Sequence, residues 1–159
     1  MIHVRKAGAL DTRAMAELLN TIIAVGGTTA LTQPVTGADL RMWMQTPGSH
    51  WIVAEDDSGE ILGFQWIEPT DELPQDAVSI ATFSQVGKTG LGIGSALFRD
   101  TCDVAKKAGL GWISAEIRTD NIGGLTYYKS RGFEEYGRKI GHVLQDGTVV
   151  DKVLARYEL

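Results

Sequence analysis

Three glycines at alternate positions, in Gly90-Leu91-Gly92-Ile93-Gly94-Ser95, constrain this chain more than any other stretch. Before them lies Val78-Ser79-Ile80-Ala81-Thr82-Phe83, a strand-like run. After them Ile93, Leu97, Val104 and Ala108 fall on one face of a helical pattern. A strand must turn into a helix here with every Cβ missing from one side of the turn. Backbone N–H groups and the positive end of the helix dipole can then approach a ligand closely. Such a turn suits phosphate oxygens.

Spacing decides which phosphate. A P-loop ending in Gly87-Lys88-Thr89 needs a glycine five residues before Gly87, where Thr82 stands. A dinucleotide fingerprint counted from Gly90 meets Ser95 where its third glycine belongs, and counting from Gly92 fails too. Neither nucleotide loop fits.

The length of 159 residues suits one domain, 1–159, large enough to bury roughly two-thirds of its unfolded surface. A net charge of −5 with no basic stripe argues against a nucleic-acid partner. No apolar run approaches membrane-spanning length and Met1 to Lys6 has no signal-peptide core, so no membrane partner is expected. Cys102 is the single cysteine, which fits a reducing cytoplasm and reads as a small core residue on a helix. His3, His50 and His142 lie too far apart to suggest a metal site or a triad, so no metal is expected.

Ile2 to Ala7 reads as a first strand. Asp11 can cap a helix carrying Met15, Leu18, Leu19 and Ile22, and Thr36 a shorter one through Leu40, Trp43 and Met44. Strands follow over 50–55 and 60–68, joined at Asp56-Asp57-Ser58-Gly59, and over 77–84. A helix over 93–107, a strand over 112–118 and a helix over 121–131 closed by Gly132 come next. Two last strands, 133–144 and 148–157, meet at Asp146-Gly147, which predicts a two-residue hairpin turn. The order β-α-α-β-β-β-α-β-α-β-β predicts an α/β fold, a mixed sheet with helices on both faces.

Thr89 to Leu97 resembles the coenzyme A loop of the GCN5-related N-acetyltransferases (GNAT family), whose pattern is [QR]-x-x-G-x-[GA]. A second block, Asn121-Ile122-Gly123-Gly124-Leu125-Thr126-Tyr127-Tyr128-Lys129-Ser130-Arg131-Gly132-Phe133, resembles the family's N-x-x-[AG]-x-x-x-Y-x-x-x-G-F segment at every anchor. The resemblance implies a mostly antiparallel sheet of about seven strands, split so that the pantetheine arm lies against the backbone of Thr82, Phe83 and Ser84. It implies acetyl-CoA as cofactor, its phosphates held by Lys88, Thr89, Gly90, Leu91, Gly92, Ile93, Gly94 and Ser95, with Asn121 binding coenzyme A through its amide. Thr89 departs from the usual Gln or Arg, which shifts phosphate binding onto backbone N–H groups and Lys88.

The implied reaction is acetyl transfer from acetyl-CoA to a primary amine of a small molecule, amino-acid-like or polyamine, by direct attack in a ternary complex. Tyr128 occupies the slot near the thioester sulfur, as acid toward the departing thiolate. Glu116 is the candidate base, directly or through water, with Glu68 and Glu72 behind it. Acceptor choice is expected to lie in 24–45, with Trp43 and Trp66 as candidate pocket walls. The looser resemblance to the phosphinothricin and amino-acid acetyltransferase branch lacks that branch's strand glutamate, whose place falls near Ser79. An acyl-CoA-binding sensor or interaction module is the alternative. Pairing through C-terminal strands is common in the family and leaves a homodimer open.

Overall fold

The computed structural model describes residues 1–88 and 91–159. Seven strands form one sheet: β1 (His3–Lys6), β2 (His50–Glu55), β3 (Ile61–Glu68), β4 (Ala77–Ser84), β5 (Trp112–Arg118), β6 (Glu134–Val143) and β7 (Val149–Glu158). Their spatial order is β1-β2-β3-β4-β5-β7-β6, and every pairing is antiparallel except β4 with β5. The helices are α1 (Thr12–Val25), α2 (Gly37–Trp43), α3 (Ile93–Lys107) and α4 (Ile122–Arg131), with a 3₁₀ turn at Ala9–Asp11.

Strand alternation places the helices on both faces. On β2, Trp51 and Val53 join Met15, Leu19 and Leu40 in a core beneath α1 and α2. Ile52 and Ala54 turn the other way, onto Ile93 and Leu97 of α3. A further core under α3 and α4 packs Ile113, Ala115 and Ile117 against Phe98, Cys102 and Tyr128. Each fully buried aliphatic side chain in these layers contributes about 1.5–3 kcal/mol over its exposed state. The buried face of α3 is wider than its apolar period implied. Phe98, Thr101, Cys102 and Ala105 are buried and Ala108 is exposed, because α3 packs over β1 to β4 while its Phe98 ring also reaches Tyr157 of β7.

Thr36 caps α2 in a box with Asp39: Asp39 N–H donates to Thr36 Oγ1 at 3.1 Å, and Thr36 N–H to Asp39 Oδ2 at 2.8 Å. Asp11 does not cap α1 as expected. Its carboxylate turns back to accept from Gly8 N–H at 2.7 Å and from both terminal nitrogens of Arg5 at 2.8 Å. Arg5 also reaches Glu55, so a long-range charge cluster outcompetes the local cap. The Asp146-Gly147 turn also differs from expectation. Leu144 N–H donates to Thr148 O at 2.7 Å, so the loop holds three residues. Only Gly147 has positive φ, whereas a two-residue type I′ turn needs two such residues.

The guanidinium of Arg5 holds Asp11 below the usual carboxylate range. Its contribution to stability is complete above the unfolded aspartate pKa, about 4, and is lost as pH falls through the lower folded value. Asp11→Asn is therefore expected to lower the melting temperature at pH 7 and to flatten its acid limb. An acid limb as steep in the variant as in the parent would contradict this.

One feature of the sheet prepares the site. The parallel pairing of β4 with β5 runs only from Ala77 opposite Trp112 to Ser79 opposite Ser114. Beyond it, β4 stays with β3 and β5 with β7. The two strands diverge, and the backbone from Ile80 to Ser84 faces a gap.

Candidate active site

The gap opens into a cleft of about 1340 Å³ that meets the N-terminus of α3. Gly92 is the N-cap of α3, with φ 82° and ψ 8°, a left-handed conformation that favours glycine. The ladder starts with Ala96 N–H donating to Gly92 O at 3.0 Å, which leaves the N–H groups of Ile93, Gly94 and Ser95 without helical partners. Gly92 and these three residues line the cleft. This set of donors at a helix N-terminus suits a pyrophosphate, and the free edge of β4 suits an amide-bearing arm. The residues present therefore fit a coenzyme A thioester.

Thr89 and Gly90, both expected in the phosphate loop, lie outside the described residues. Lys88 lines the cleft with its ammonium 3.7 Å from Glu60. Leu91 is exposed and is not part of the cleft wall. Thr82, Phe83 and Ser84 line it, with the Phe83 ring packed 5.3 Å from Phe64 in the α1-side core.

On the α3/α4 side, Tyr128 is buried and its hydroxyl lies 2.8 Å from Thr82 Oγ1. Burial pushes its phenol well above the ordinary value, with the Thr82 bond pulling back. Such a phenol stays protonated and can donate a hydrogen bond to a thiolate. Full proton transfer from such a phenol to a thiolate with pKa about 8.5 runs uphill, so a hydrogen bond is the help this hydroxyl can give. Tyr127 donates its hydroxyl proton to Gly94 O at 2.8 Å. A Cβ on Gly94 would sit 2.6 Å from the Tyr127 ring, so the glycine admits the ring. Gln65, fully buried on β3, approaches both Thr82 and Tyr127.

The other face carries charge. Glu68 pairs in register with Ser79, Ser79 with Ser114, and Arg118 with Lys152, so these residues and Glu116 share one face. Glu116 accepts from Lys139 at 3.1 and 3.2 Å and from Lys152 at 3.4 Å, and Lys139 also donates to Glu72 at 2.6 Å. Glu68 has no hydrogen-bonding side-chain partner or ion pair among the described residues. Trp43 and Trp66 line the same end, 6.4 Å apart, and Trp66 stacks on Trp51 at 4.0 Å. They are core and wall at once.

The α1–α2 loop is tied to the β5–α4 turn. Arg118 donates to Thr29 O at 3.2 Å while forking onto Asp120, and Asn121 Nδ2 donates to Thr28 O at 3.2 Å. Asn121 Oδ1 accepts from Gly124 N–H at 2.9 Å, the cap of α4. Both ends of this amide are thus engaged within the protein. Arg118 and Lys152 escaped sequence reading because only the β5–β7 register brings them together. Gln65 had one signal, a polar residue inside the apolar run of β3.

Cys102 is buried, and desolvation pushes its thiol up, as suits an inert core residue. Among the described residues no group of three or more His, Cys, Asp or Glu is placed to hold a metal ion.

The gap in the sheet, the glycine-capped helix and the tyrosine beneath them form a cleft whose chemistry fits an acyl-CoA donor. The acetyltransferase (GNAT) family model matches residues 28–133, and the chain belongs to that family. It is an N-acetyltransferase, the class whose acyl donor is acetyl-CoA. A Bacillus subtilis (strain 168) protein named "Putative phosphinothricin acetyltransferase YwnH" is 28% identical over 158 residues, covering 96% of this chain and 97% of its own. A GCN5-related N-acetyltransferase from Kribbella flavida superposes with a TM-score of 0.84 at 25% identity, covering 99% of this chain and 98% of its own. A phosphinothricin acetyltransferase from Sinorhizobium meliloti, solved in complex with AcCoA, superposes at 0.88 with 20% identity, covering 99% and 88%.

Proposed function

We propose that residues 1–159 act as one catalytic domain that acetylates the primary amine of a small amino-acid-like acceptor in a ternary complex. The observation that carries this reading is the split between β4 and β5, which joins an anion-binding helix terminus on one sheet face to a charged, aromatic pocket on the other. Acetyl-CoA supplies the activated acetyl group and leaves as the thiol. The N–H groups of Ile93, Gly94 and Ser95, helped by Lys88, hold its phosphates. Backbone groups of Thr82 to Ser84 orient its arm, and Asn121 fixes the turn beside it. Tyr128 holds a proton toward the sulfur.

On the acceptor side, Arg118 and Lys152 line the cleft as the groups that an acceptor carboxylate would meet, each already held by a carboxylate of its own, Asp120 and Glu116. Trp43 and Trp66 offer apolar surface to its side chain. Glu68 is the better placed base. Its carboxylate is free of cations among the described residues, while both oxygens of Glu116 accept from lysine. Glu116 then holds Lys139 and Lys152 in place.

The test is thiol release from acetyl-CoA with L-phosphinothricin, a panel of L-amino acids and spermidine. The reading expects turnover with at least one amino acid and little with spermidine. Turnover with spermidine alone would reverse the acceptor class. In the same assay, Glu68→Gln is expected to reduce kcat about 100-fold and Glu116→Gln to act mainly through KM for the acceptor. The opposite ranking would return the base to Glu116.

The β6–β7 hairpin exposes Tyr136, Ile140, Val143 and Val149, an apolar surface on which we place a homodimer contact. A cytoplasmic location is proposed from the single buried cysteine. No helix among the described residues is long and apolar enough to cross a membrane.

A further inference from the structure

Gln65 and Thr101 are both fully buried polar side chains, and the reaction as described uses neither. Their hydrogen-bond directions are fixed by what surrounds them. Tyr127 gives its only hydroxyl proton to Gly94 O, a carbonyl that can only accept. The atom of Gln65 lying 3.3 Å from Tyr127 Oη must therefore be the amide nitrogen. That nitrogen's other proton goes to Thr82 Oγ1 at 2.8 Å. Gln65 Oε1 is thus turned to α3, where Thr101 Oγ1 lies 2.5 Å away and donates to it.

Thr82 now has one lone pair occupied. Among the described residues its remaining side-chain neighbour is Tyr128, at 2.8 Å. The direction that gives every proton an acceptor runs from Thr82 O–H to Tyr128 Oη. The proton of Tyr128 is then left for the cleft that Tyr128 lines.

We infer that Gln65 is a positioning residue: anchored by Thr101, it orients Thr82 as a donor so that the Tyr128 hydroxyl points its proton at the sulfur of the departing coenzyme A. This rests on the reading of Tyr128 given above. No covalent bond changes within the relay. Thr101, Gln65 and Thr82 all keep their protons; Thr101 and Thr82 each donate one hydrogen bond and Gln65 donates two, one of them along the relay to Thr82, so negative charge on sulfur is met by a chain of aligned dipoles. The relay also explains why Gln65 stands opposite Thr82 in the β3–β4 register, on the same face as Ile67, amid apolar neighbours. An unpartnered amide there would be costly, and both of its protons and its carbonyl oxygen have partners.

The test reads binding of free coenzyme A by calorimetry between pH 6.5 and 9.5, with desulfo-coenzyme A as control, on the parent protein, Tyr128→Phe and Gln65→Met. A hydroxyl aimed at sulfur favours the thiolate, so parent affinity is expected to rise about tenfold as pH crosses the thiol pKa. Desulfo-coenzyme A is expected to show no such rise. Among the described residues Tyr127, Tyr157, Cys102 and Arg131 are the other ionisable groups in this corner, and the control subtracts them. Tyr128→Phe is expected to abolish the rise. Gln65→Met is expected to cut it to about twofold, with affinity for desulfo-coenzyme A unchanged.

A parent protein with no rise would overturn the donor role of Tyr128 and the relay with it. A full rise retained in Gln65→Met would overturn the relay alone. Should Gln65→Met not fold, Thr101→Val tests the same chain from its far end. A loss of at least half of the rise supports the relay, and an unchanged rise rejects it.

Discussion

Gly92→Glu is expected to weaken acetyl-CoA binding at least about 100-fold, a loss of about 2.7 kcal/mol, while the protein still folds. Gly92 is the residue where the two costs can be separated. No atom of the described residues lies within 4 Å of a Cβ built there. Its φ of 82° makes any L-residue strained, at about 1–2 kcal/mol, which lowers the melting temperature by a few degrees in a chain of this size. The larger cost falls on the ligand. A carboxylate beside the free N–H groups of Ile93 to Ser95 competes for the donors that phosphates would use and repels the phosphates themselves. Gly92→Ala shares the strain without the charge and is expected to lose much less affinity. Calorimetric titration of the three proteins with acetyl-CoA decides it, and parent-like affinity in Gly92→Glu would move the phosphates off this turn.

Tyr128→Phe is expected to reduce kcat about 100-fold, with KM for acetyl-CoA nearly unchanged. The ring fills the same space between Phe133 and Tyr127, so packing survives. What disappears is the hydroxyl facing Thr82 and the cleft. Because burial raises the phenol above its ordinary value near 10, the hydroxyl stays protonated across neutral and moderately alkaline pH. The parent's kcat should accordingly show no alkaline loss from this group below about pH 10. An unchanged kcat in the variant would remove Tyr128 from the reaction.

Much of this was legible in the sequence because local chemistry and tertiary structure agree. The span of α3 follows from Gly92 before it and Gly109 after it, and that of α4 from Asn121 and Gly132. The sequence of Gly90 to Ser95 reads as suited to an anion because alternate positions lack side chains. What stayed hidden depends on pairings between distant strands. Asp11 reads as a cap until β1 brings Arg5 beside it. Glu116 reads as a free base until Lys139 and Lys152 arrive from β6 and β7. Gln65 meets Thr82 only across the β3–β4 register, and Thr101 only from a helix packed over that sheet face. Tyr127 shows the same limit within one helix. Its neighbour Tyr128 was separable from it by motif alone, and the role of Tyr127 became visible only with Gly94 beneath its ring.

The diverging β4 and β5 make the sheet a partition with a single slot. Tyr128, proposed to face the donor, and Trp43 and Trp66, proposed to face the acceptor, lie in different layers, with different hydrophobic cores behind them. Substitutions at Trp43 or along the α1–α2 loop can therefore remodel which amine is accepted while the layer behind Tyr128 and α3 keeps its packing. A chain built this way is free to drift in what it acetylates while staying constant in what it acetylates with.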